Sequence, residues 1–109
     1  MLDVRLYLAQ RLTAMIMAPL VLGHLAVMIY AVQGGLSASE ILARTQGSIA
    51  WGAFYGLFVI AVSIHAAIGL RVVVHEYFKV QGTALAAFTA AAALMFLLLG
   101  GRAVVAVVL

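Results

Sequence analysis

The stretch IAWGAFYGLFVIAVSIHAAIGLRVVV, residues 49–74, decides the fold of this chain. Arg71 is its only charged residue, and almost all of the others are apolar. A helix needs about 20 consecutive apolar residues to cross a hydrocarbon core about 30 Å thick. The stretch therefore predicts a transmembrane α-helix, which we place at about residues 49–75.

Two further apolar runs flank this helix, one on each side. We place their spans at about residues 12–33 and 83–101, with a polar connector over 34–48 and a loop over 76–82. The sequence thus predicts an all-α integral membrane protein with three transmembrane helices. We expect a single membrane-anchor domain over residues 1–109.

The composition agrees with a membrane location. Hydrophobic residues make up 68% of the 109 residues and charged residues only 8%, whereas charged residues make up about 25% of soluble domains. The formal net charge is +3, but the lysines and arginines are scattered singly. Because they form no basic patch, we expect no nucleic-acid partner and interpret the charge as a signal for membrane orientation.

The basic residues fall unequally on the two sides of the predicted membrane. The side of the N-terminus has Arg5, Arg11, Arg71 and Lys79, and the other side has Arg44 and Arg102. Basic residues concentrate on the cytoplasmic side of membrane proteins. We therefore expect a multi-pass protein of the cell inner (cytoplasmic) membrane, with its N-terminus and the loop 76–82 in the cytoplasm.

His65 is the first candidate for chemistry. It lies about 12 residues, or roughly 18 Å of helix, before Tyr77, which places it near the middle of the membrane. A neutral imidazole at this depth can ligate haem iron through one ring nitrogen, and Gly69, one turn later, would leave room for a flat macrocycle. The alternative is an imidazole that only hydrogen-bonds a neighbouring helix.

His24 is the second candidate. It lies about 13 residues, or roughly 20 Å of helix, beyond Arg11, so we expect it at a depth similar to that of His65. Two histidines at one depth can clamp one iron, whereas the alternative is a His24 packed against another helix. His75, at the end of the second span, is expected at the interface, where it can contact a haem propionate.

A polar group gathers at the predicted cytoplasmic interface and consists of Gln10, Arg11, Arg71, His75, Glu76 and Tyr77. A quinone site needs hydrogen-bond donors for two carbonyl oxygens, such as a tyrosine hydroxyl or an arginine. A nearby carboxylate can take part in proton delivery. The alternative explanation is ordinary snorkelling of arginine and tyrosine side chains at helix ends.

The stretch HAAIGLRVVVHEY, residues 65–77, resembles the small membrane-anchor subunits of succinate:quinone oxidoreductase, respiratory complex II. In that family a histidine is followed by a glycine four positions later and by an acid–tyrosine pair, which correspond here to Gly69, Glu76 and Tyr77. The stretch QRLTA, residues 10–14, followed by Pro-Leu, is similar to the start of the family's first helix.

The resemblance is closer to the D-type anchor than to the C-type anchor. C-type anchors have a serine four residues before the first-helix arginine, where this chain has Tyr7. Arg71 is more usual in C-type anchors, and Glu76 stands where the family usually has aspartate. We therefore expect a D-type subunit within a larger multi-subunit helix bundle.

The resemblance implies a cytochrome b. His65 would be an axial ligand of the iron of haem b, and in the family the second ligand comes from another anchor subunit. His24 departs from that scheme: it would ligate a haem held within this chain, ligate a second haem, or have no haem role. Arg71 and His75 would lie beside the haem.

The resemblance also implies a quinone site. Tyr77 would hydrogen-bond a carbonyl oxygen of ubiquinone or menaquinone, Arg11 would border the pocket or a haem propionate, and Glu76 would lie beside them. The chain has no cysteine, so it ligates no iron–sulfur cluster. The expected partners are a flavoprotein subunit, where succinate reacts, an iron–sulfur subunit, a second anchor subunit and the lipid bilayer.

Two other functions fit a small polytopic chain. A transporter or channel subunit would use a protonatable residue near mid-membrane, but Glu76 lies at a helix end. A structural anchor would have no ligand contacts at all, and it would tolerate the loss of Tyr77 and Arg11. Binding of haem distinguishes a cytochrome from a transporter or channel subunit. Quinone reduction by variants of Tyr77 and Arg11 tests the structural anchor.

Overall fold

The computed structural model describes residues 3–109 and contains four α-helices with no strand in that range. The helices are α1 (Val4–Gly34), α2 (Ala38–Thr45), α3 (Ile49–Phe78) and α4 (Gly82–Val108). Three of them, with 31, 30 and 27 residues, are long and apolar enough to cross a membrane. The described part of the chain thus confirms the predicted all-α fold with three spans.

The boundaries of α1 follow from its end residues. The Asp3 carboxylate accepts a hydrogen bond from the Leu6 backbone N–H at 2.8 Å, which satisfies one of the free donors at the start of the helix. The helix continues through Pro19 and ends at Gly34. Gly35 then adopts φ +120°, a backbone conformation that favours glycine.

The connector contains the short helix α2, which begins with a capping box. Ser37 Oγ accepts a hydrogen bond from the Glu40 backbone N–H, and the Glu40 carboxylate accepts one from the Ser37 backbone N–H at 3.0 Å. This reciprocal pairing of serine with glutamate is a sequence signal for a helix start. The connector is therefore an ordered element and not a flexible link.

The helix α3 is central, because α1 and α4 both pack against it. Its contact faces carry small side chains, and the fully buried residues include Ala61, Ser63 and Ala67. Small residues let membrane helices approach closely, which increases van der Waals contact where the hydrophobic effect between helices is absent. Most large apolar side chains lie on the outside of the bundle, where lipid or partner helices can cover them.

The helix α4 extends beyond the span predicted to end near residue 101. It passes through Gly100 and Gly101 without a break and ends at Val108. At Gly100 the α3 side chain of Val59 packs against the helix backbone, since a Cβ there would lie 2.6 Å from Val59 Cγ1. The glycine therefore permits a close helix contact rather than ending the helix.

The connector closes over the last turn of α4. Thr45 Oγ1 donates to the Val107 carbonyl at 2.6 Å, the Gly47 backbone N–H donates to the Val108 carbonyl at 2.6 Å, and Gln46 Nε2 donates to the Leu109 carbonyl at 3.2 Å. Carbonyls in the last turn of a helix have no partner within the helix. The first two bonds satisfy such carbonyls, and all three hold the connector against the end of α4.

The bundle is 47 Å long and 23 Å wide in each of the other directions. A bilayer with its headgroup regions is about 40–45 Å thick. The three long helices therefore match the full thickness of a membrane and place one end of the bundle at each interface.

Candidate functional site

The two ends of the bundle differ, and we name them by their residues. The Tyr77 end comprises the start of α1, the end of α3 and the start of α4. The connector end comprises the end of α1, the helix α2, the start of α3 and the end of α4. The candidate residues are distributed between these ends and the middle of α3.

His65 lies in the middle of α3 and faces α1. Its Nδ1 is 3.2 Å from the hydroxyl oxygen of Thr13. The imidazole is half-buried. Its Nε2 makes no hydrogen bond within residues 3–109, and it is not one of the buried atoms that lack a partner, so it is accessible. One ring nitrogen is thus held by the chain and the other is open.

Thr13 is the residue that sequence reasoning missed. Its side chain is only 6% exposed, and its hydroxyl lies 2.7 Å from the Ala9 carbonyl and 3.1 Å from the Gln10 carbonyl of the preceding turn. A threonine in an apolar helix bonds its own backbone in this way without any tertiary partner. Nothing in the sequence indicates that its hydroxyl also meets a histidine on α3.

Gly69 follows His65 by one turn and lies against the α1 side chain of Gln10. A Cβ at Gly69 would lie 3.8 Å from Gln10 Nε2, an ordinary van der Waals distance. The space predicted for a flat macrocycle at Gly69 therefore borders Gln10 in this chain. The Gln10 Oε1 atom is buried without a hydrogen-bond partner among residues 3–109.

His24 is not at the depth of His65. Its ring packs edge-on against Tyr55 and Phe58, with ring centroids 6.2 and 5.1 Å away, whereas Thr13 meets His65. Along α1, His24 lies about 11 residues or roughly 16 Å beyond Thr13. The prediction of equal depth is wrong, and the structure does not bring the two histidines together at one iron.

The error in depth has a clear origin in α1. The prediction counted from Arg11 as the interfacial residue, but α1 begins at Val4 and Arg11 lies about two turns inside the helix. Counting from the true start moves His24 toward the connector end.

Arg71 faces α4 rather than α1. Its Nη1 donates to Thr89 Oγ1 at 3.2 Å, and the Thr89 hydroxyl donates to the Leu85 carbonyl at 2.8 Å. The Arg71 Nε atom is buried and has no partner among the described residues. His65 faces α1, so Arg71 lies on a different side of α3, about 6 residues or roughly 9 Å further along the helix.

His75 lies one turn after Arg71 on the same side of α3. Its Nδ1 is 2.9 Å from the Val80 carbonyl in the turn between α3 and α4. A carbonyl oxygen only accepts, so Nδ1 carries the proton and Nε2 has the lone pair. The bond holds this imidazole at the Tyr77 end, where it was expected.

Tyr77 and Glu76 lie at the outer end of α3 and are exposed, with Tyr77 76% exposed. Within residues 3–109 neither side chain makes a hydrogen bond or an ion pair. Lys79 ends the helix in the left-handed conformation, with φ 58°, and its Nζ donates to the Glu76 carbonyl at 2.9 Å. The two predicted quinone residues on α3 are therefore adjacent and open.

Arg11 is also exposed, but it is not beside Tyr77. Its neighbour Gln10 is level with Gly69, and Tyr77 lies about 8 residues or roughly 12 Å further along α3. Arg11 also precedes Thr13 by two positions, about 200° around the helix, so it points away from α3. The structure thus brings Glu76 and Tyr77 together and leaves Arg11 on a separate face.

A cavity of about 520 Å³ extends from the connector end toward the middle of the bundle and was not expected from the sequence. Its walls are mostly apolar, and the polar groups include His24, Thr45 and Tyr55. His24 packs against the aromatic rings of Tyr55 and Phe58 on α3, which agrees with the alternative interpretation of a histidine packed against another helix. No signal in the sequence indicates a cavity, because it results from how α2, α3 and α4 meet.

The described residues contain no group of three or more histidine, cysteine, aspartate or glutamate side chains able to hold a metal ion. A haem iron needs fewer protein ligands than a bare metal ion, because the macrocycle supplies the other ligands. A single imidazole with an open nitrogen, such as His65, fits that requirement.

Comparison with known proteins gives one match. Residues 1–101 match the family model described as Succinate dehydrogenase/Fumarate reductase transmembrane subunit. No curated protein and no solved structure matches the chain significantly. The matched residues include α1, α2, α3 and most of α4, and the three long apolar helices agree with a membrane subunit. The chain therefore belongs to the family of succinate dehydrogenase/fumarate reductase transmembrane subunits.

Proposed function

We propose that this chain is a cytochrome b anchor of a succinate:quinone oxidoreductase, in which His65 ligates haem b and the Tyr77 end forms part of the quinone site. Its partners are a second anchor subunit, an iron–sulfur subunit and a flavoprotein subunit, where succinate or fumarate reacts. The complex lies in the inner membrane with the Tyr77 end in the cytoplasm. The family match, the open Nε2 of His65 and the open polar end support this role.

The observation that carries the haem assignment is the position of His65. It is half-buried in the middle of the central helix, one ring nitrogen is engaged by Thr13, and the other is open. An ionisable group at that depth is costly unless it has a partner. A haem bound there would relay electrons between the iron–sulfur clusters and the quinone.

His65 is a better haem ligand than His24. A second haem ligand would come from the other anchor subunit, because His24 lies roughly 16 Å further along α1. His24 packs against aromatic rings, and we assign it no ligand role for the same iron.

The quinone site belongs to the exposed end of α3. The Tyr77 hydroxyl donates a hydrogen bond to a quinone carbonyl oxygen, and the donor becomes more valuable as that oxygen gains negative charge during reduction. Reduction of a quinone to a quinol takes up protons as well as electrons. Glu76, exposed next to Tyr77, relays protons from the aqueous phase to the carbonyl that Tyr77 holds.

The basic side chains of this half of the bundle lie on two other faces. Arg71 has a buried Nε without a partner, and His75 has an open Nε2 beside it on the α4 side of α3. Both are suited to an anionic or carbonyl group at this edge, such as a haem propionate. Arg11 is exposed and faces away from α3, on a surface where the partner anchor would pack.

Purification of the assembled complex tests the proposal. We expect a flavoprotein and an iron–sulfur protein to co-purify, and the reduced-minus-oxidised absorbance spectrum to show b-type haem bands. The His65→Ala complex should lose those bands, and the His24→Ala complex should keep them. A His65→Ala complex with the wild-type spectrum would refute the ligand assignment, and a chain that purifies alone without haem would favour a transporter.

A further inference from the structure

We infer that Thr13 is the positioning residue of His65: its hydroxyl oxygen accepts a hydrogen bond from Nδ1–H, so that the Nε2 lone pair is the one presented to iron. The inference rests on the proposed function, in which His65 is a haem ligand. It concerns which imidazole nitrogen carries the proton and how firmly the ring is held.

The single hydroxyl proton of Thr13 shows which nitrogen of His65 is protonated. A threonine hydroxyl has one proton to donate, and the Ala9 carbonyl, 2.7 Å from Oγ1, is its nearest acceptor. The His65 contact is longer, at 3.2 Å. With its proton directed to the carbonyl, the Thr13 oxygen can only accept from the imidazole. Nδ1 therefore carries the ring proton.

Burial strengthens the assignment. Thr13 is 6% exposed, so neither water nor lipid can replace the carbonyl or the imidazole as its partner. The hydroxyl is fixed to the backbone of α1, and the bond therefore ties the ring plane of His65 to the neighbouring helix. A neutral imidazole with Nδ1 protonated has its lone pair on Nε2, the nitrogen that is open.

The consequence concerns the electronic character of the ligand. A hydrogen bond from the remote ring N–H to an acceptor orients a metal-bound imidazole and raises its basicity. A more basic ligand stabilises the oxidised iron over the reduced iron. Through its bond to His65, Thr13 would therefore lower the reduction potential of a haem held there.

The test uses the assembled complex with Thr13→Val and Thr13→Ser. Valine has nearly the same shape but no acceptor, and serine keeps the hydroxyl. We expect Thr13→Val to shift the midpoint potential of haem b to more positive values and to change the g-values of the oxidised haem in electron paramagnetic resonance. Thr13→Ser should remain close to wild type in both measurements.

A second measurement keeps the inference testable if Thr13→Val fails to assemble. Electron–nuclear double resonance of the wild-type complex, with ¹⁵N-labelled histidine in this subunit only, detects the proton on Nδ1 of the haem ligand that this chain supplies. We expect that proton to exchange slowly with deuterium, because the bond to Thr13 is buried. Rapid exchange would contradict the inference.

The outcomes separate the two levels of the proposal. A complex that keeps its haem without His65, or that never contains haem, overturns both the proposed haem ligation by His65 and the role of Thr13. If His65 is the ligand but Thr13→Val has the wild-type potential and g-values, only the positioning role is refuted. A merely structural Thr13 would reduce the yield of complex and leave both readouts unchanged.

Discussion

The connector end closes the end of α4 with its own polar groups, whereas the Tyr77 end leaves several polar side chains open. At the connector end, Thr45 and Gly47 donate to the carbonyls of Val107 and Val108, and Gln46 donates to that of Leu109. Arg44 there donates to the Gly35 carbonyl at 2.9 Å and lies over the Tyr30 ring, with its guanidinium carbon 5.5 Å from the centroid.

The Tyr77 end shows the opposite pattern. Glu76, Tyr77 and Arg11 are exposed, and the two buried side-chain atoms without a partner in residues 3–109, Gln10 Oε1 and Arg71 Nε, both lie toward this end. Unpaired buried polar atoms are costly in a protein and more so in lipid. The connector end is thus closed by bonds within one chain, whereas the open groups of the Tyr77 end are available to the partners and ligands that we propose.

The largest expected effect is a loss of quinone reduction when the hydroxyl group of Tyr77 is removed. Tyr77→Phe should lower quinone reduction by the assembled complex about 10- to 100-fold, since it removes a hydrogen bond to an oxygen that becomes charged. Arg11→Ala should have a smaller effect in the same direction. Succinate oxidation with an artificial acceptor should not change.

The matched control for Tyr77→Phe is Tyr30→Phe at the connector end. Tyr30 is also exposed, and phenylalanine keeps the ring beneath Arg44. Tyr30→Phe should leave quinone reduction at the wild-type rate. Equal rates in wild type, Tyr77→Phe and Arg11→Ala would favour a purely structural anchor.

The next largest effect concerns the close contact of α3 with α4. Gly100→Ala would place a methyl group 2.6 Å from Val59 Cγ1, and overpacking of this kind costs about 1–3 kcal/mol. The thermal unfolding midpoint of the complex should fall, while quinone reduction per assembled complex should remain. Gly101→Ala is the control, because nothing lies within 4 Å of its Cβ position and alanine favours helix; equal stability of the two variants would contradict the contact.

A smaller effect is expected where the connector caps α4. Thr45→Val removes the donor to the Val107 carbonyl, a bond of 2.6 Å, and should cost about 1 kcal/mol. Thr45→Ser keeps the hydroxyl and should be close to wild type. Thermal unfolding of the complex checks both variants, and a Thr45→Val variant as stable as wild type would show that this cap is dispensable.

The smallest effect is the titration of Glu40. Hydrogen bonds from the Ser37 side chain, then from its backbone N–H, lower the pKa of Glu40 below its ordinary value of 4.5. Because the folded-state pKa is lowered, the capping box contributes stability above that ordinary value and loses it as the pH falls through the lowered one.

Carbon NMR of the carboxyl group of Glu40 in micelles measures this pKa directly. We expect a value below 4.5 in the wild type, and a value closer to the ordinary one in Ser37→Ala. An unchanged pKa in Ser37→Ala would show that the capping box does not hold the carboxylate.

The sequence was sufficient for the architecture. Continuous apolar runs predict transmembrane helices because lipid forces every backbone group into internal hydrogen bonds. The short helix α2 within the predicted connector was not predicted, although the end of α1 at Gly34 and the start of α2 after Ser37 have local causes in the Gly34-Gly35 pair and the capping box of Ser37 and Glu40. Local chemistry decides such features, so they can be read without tertiary information.

The sequence was insufficient for the relations between helices. It could not show that Thr13 meets His65, because the facing directions of α1 and α3 depend on packing. It also suggested the wrong depth for His24, because the start of α1 at Val4 is not marked by an apolar boundary. Gly100 is a further example. Glycine is compatible with both a helix end and a close helix contact, so the sequence does not distinguish the two.

Photoaffinity labelling of the assembled complex with an azidoquinone tests most directly whether the Tyr77 end is the ligand-binding end. The two ends offer distinct targets, namely the open residues around Tyr77 and the cavity lined by His24 and Tyr55. We expect competable label in the peptide that contains Glu76 and Tyr77. Competable label confined to the cavity at the connector end would contradict the assignment.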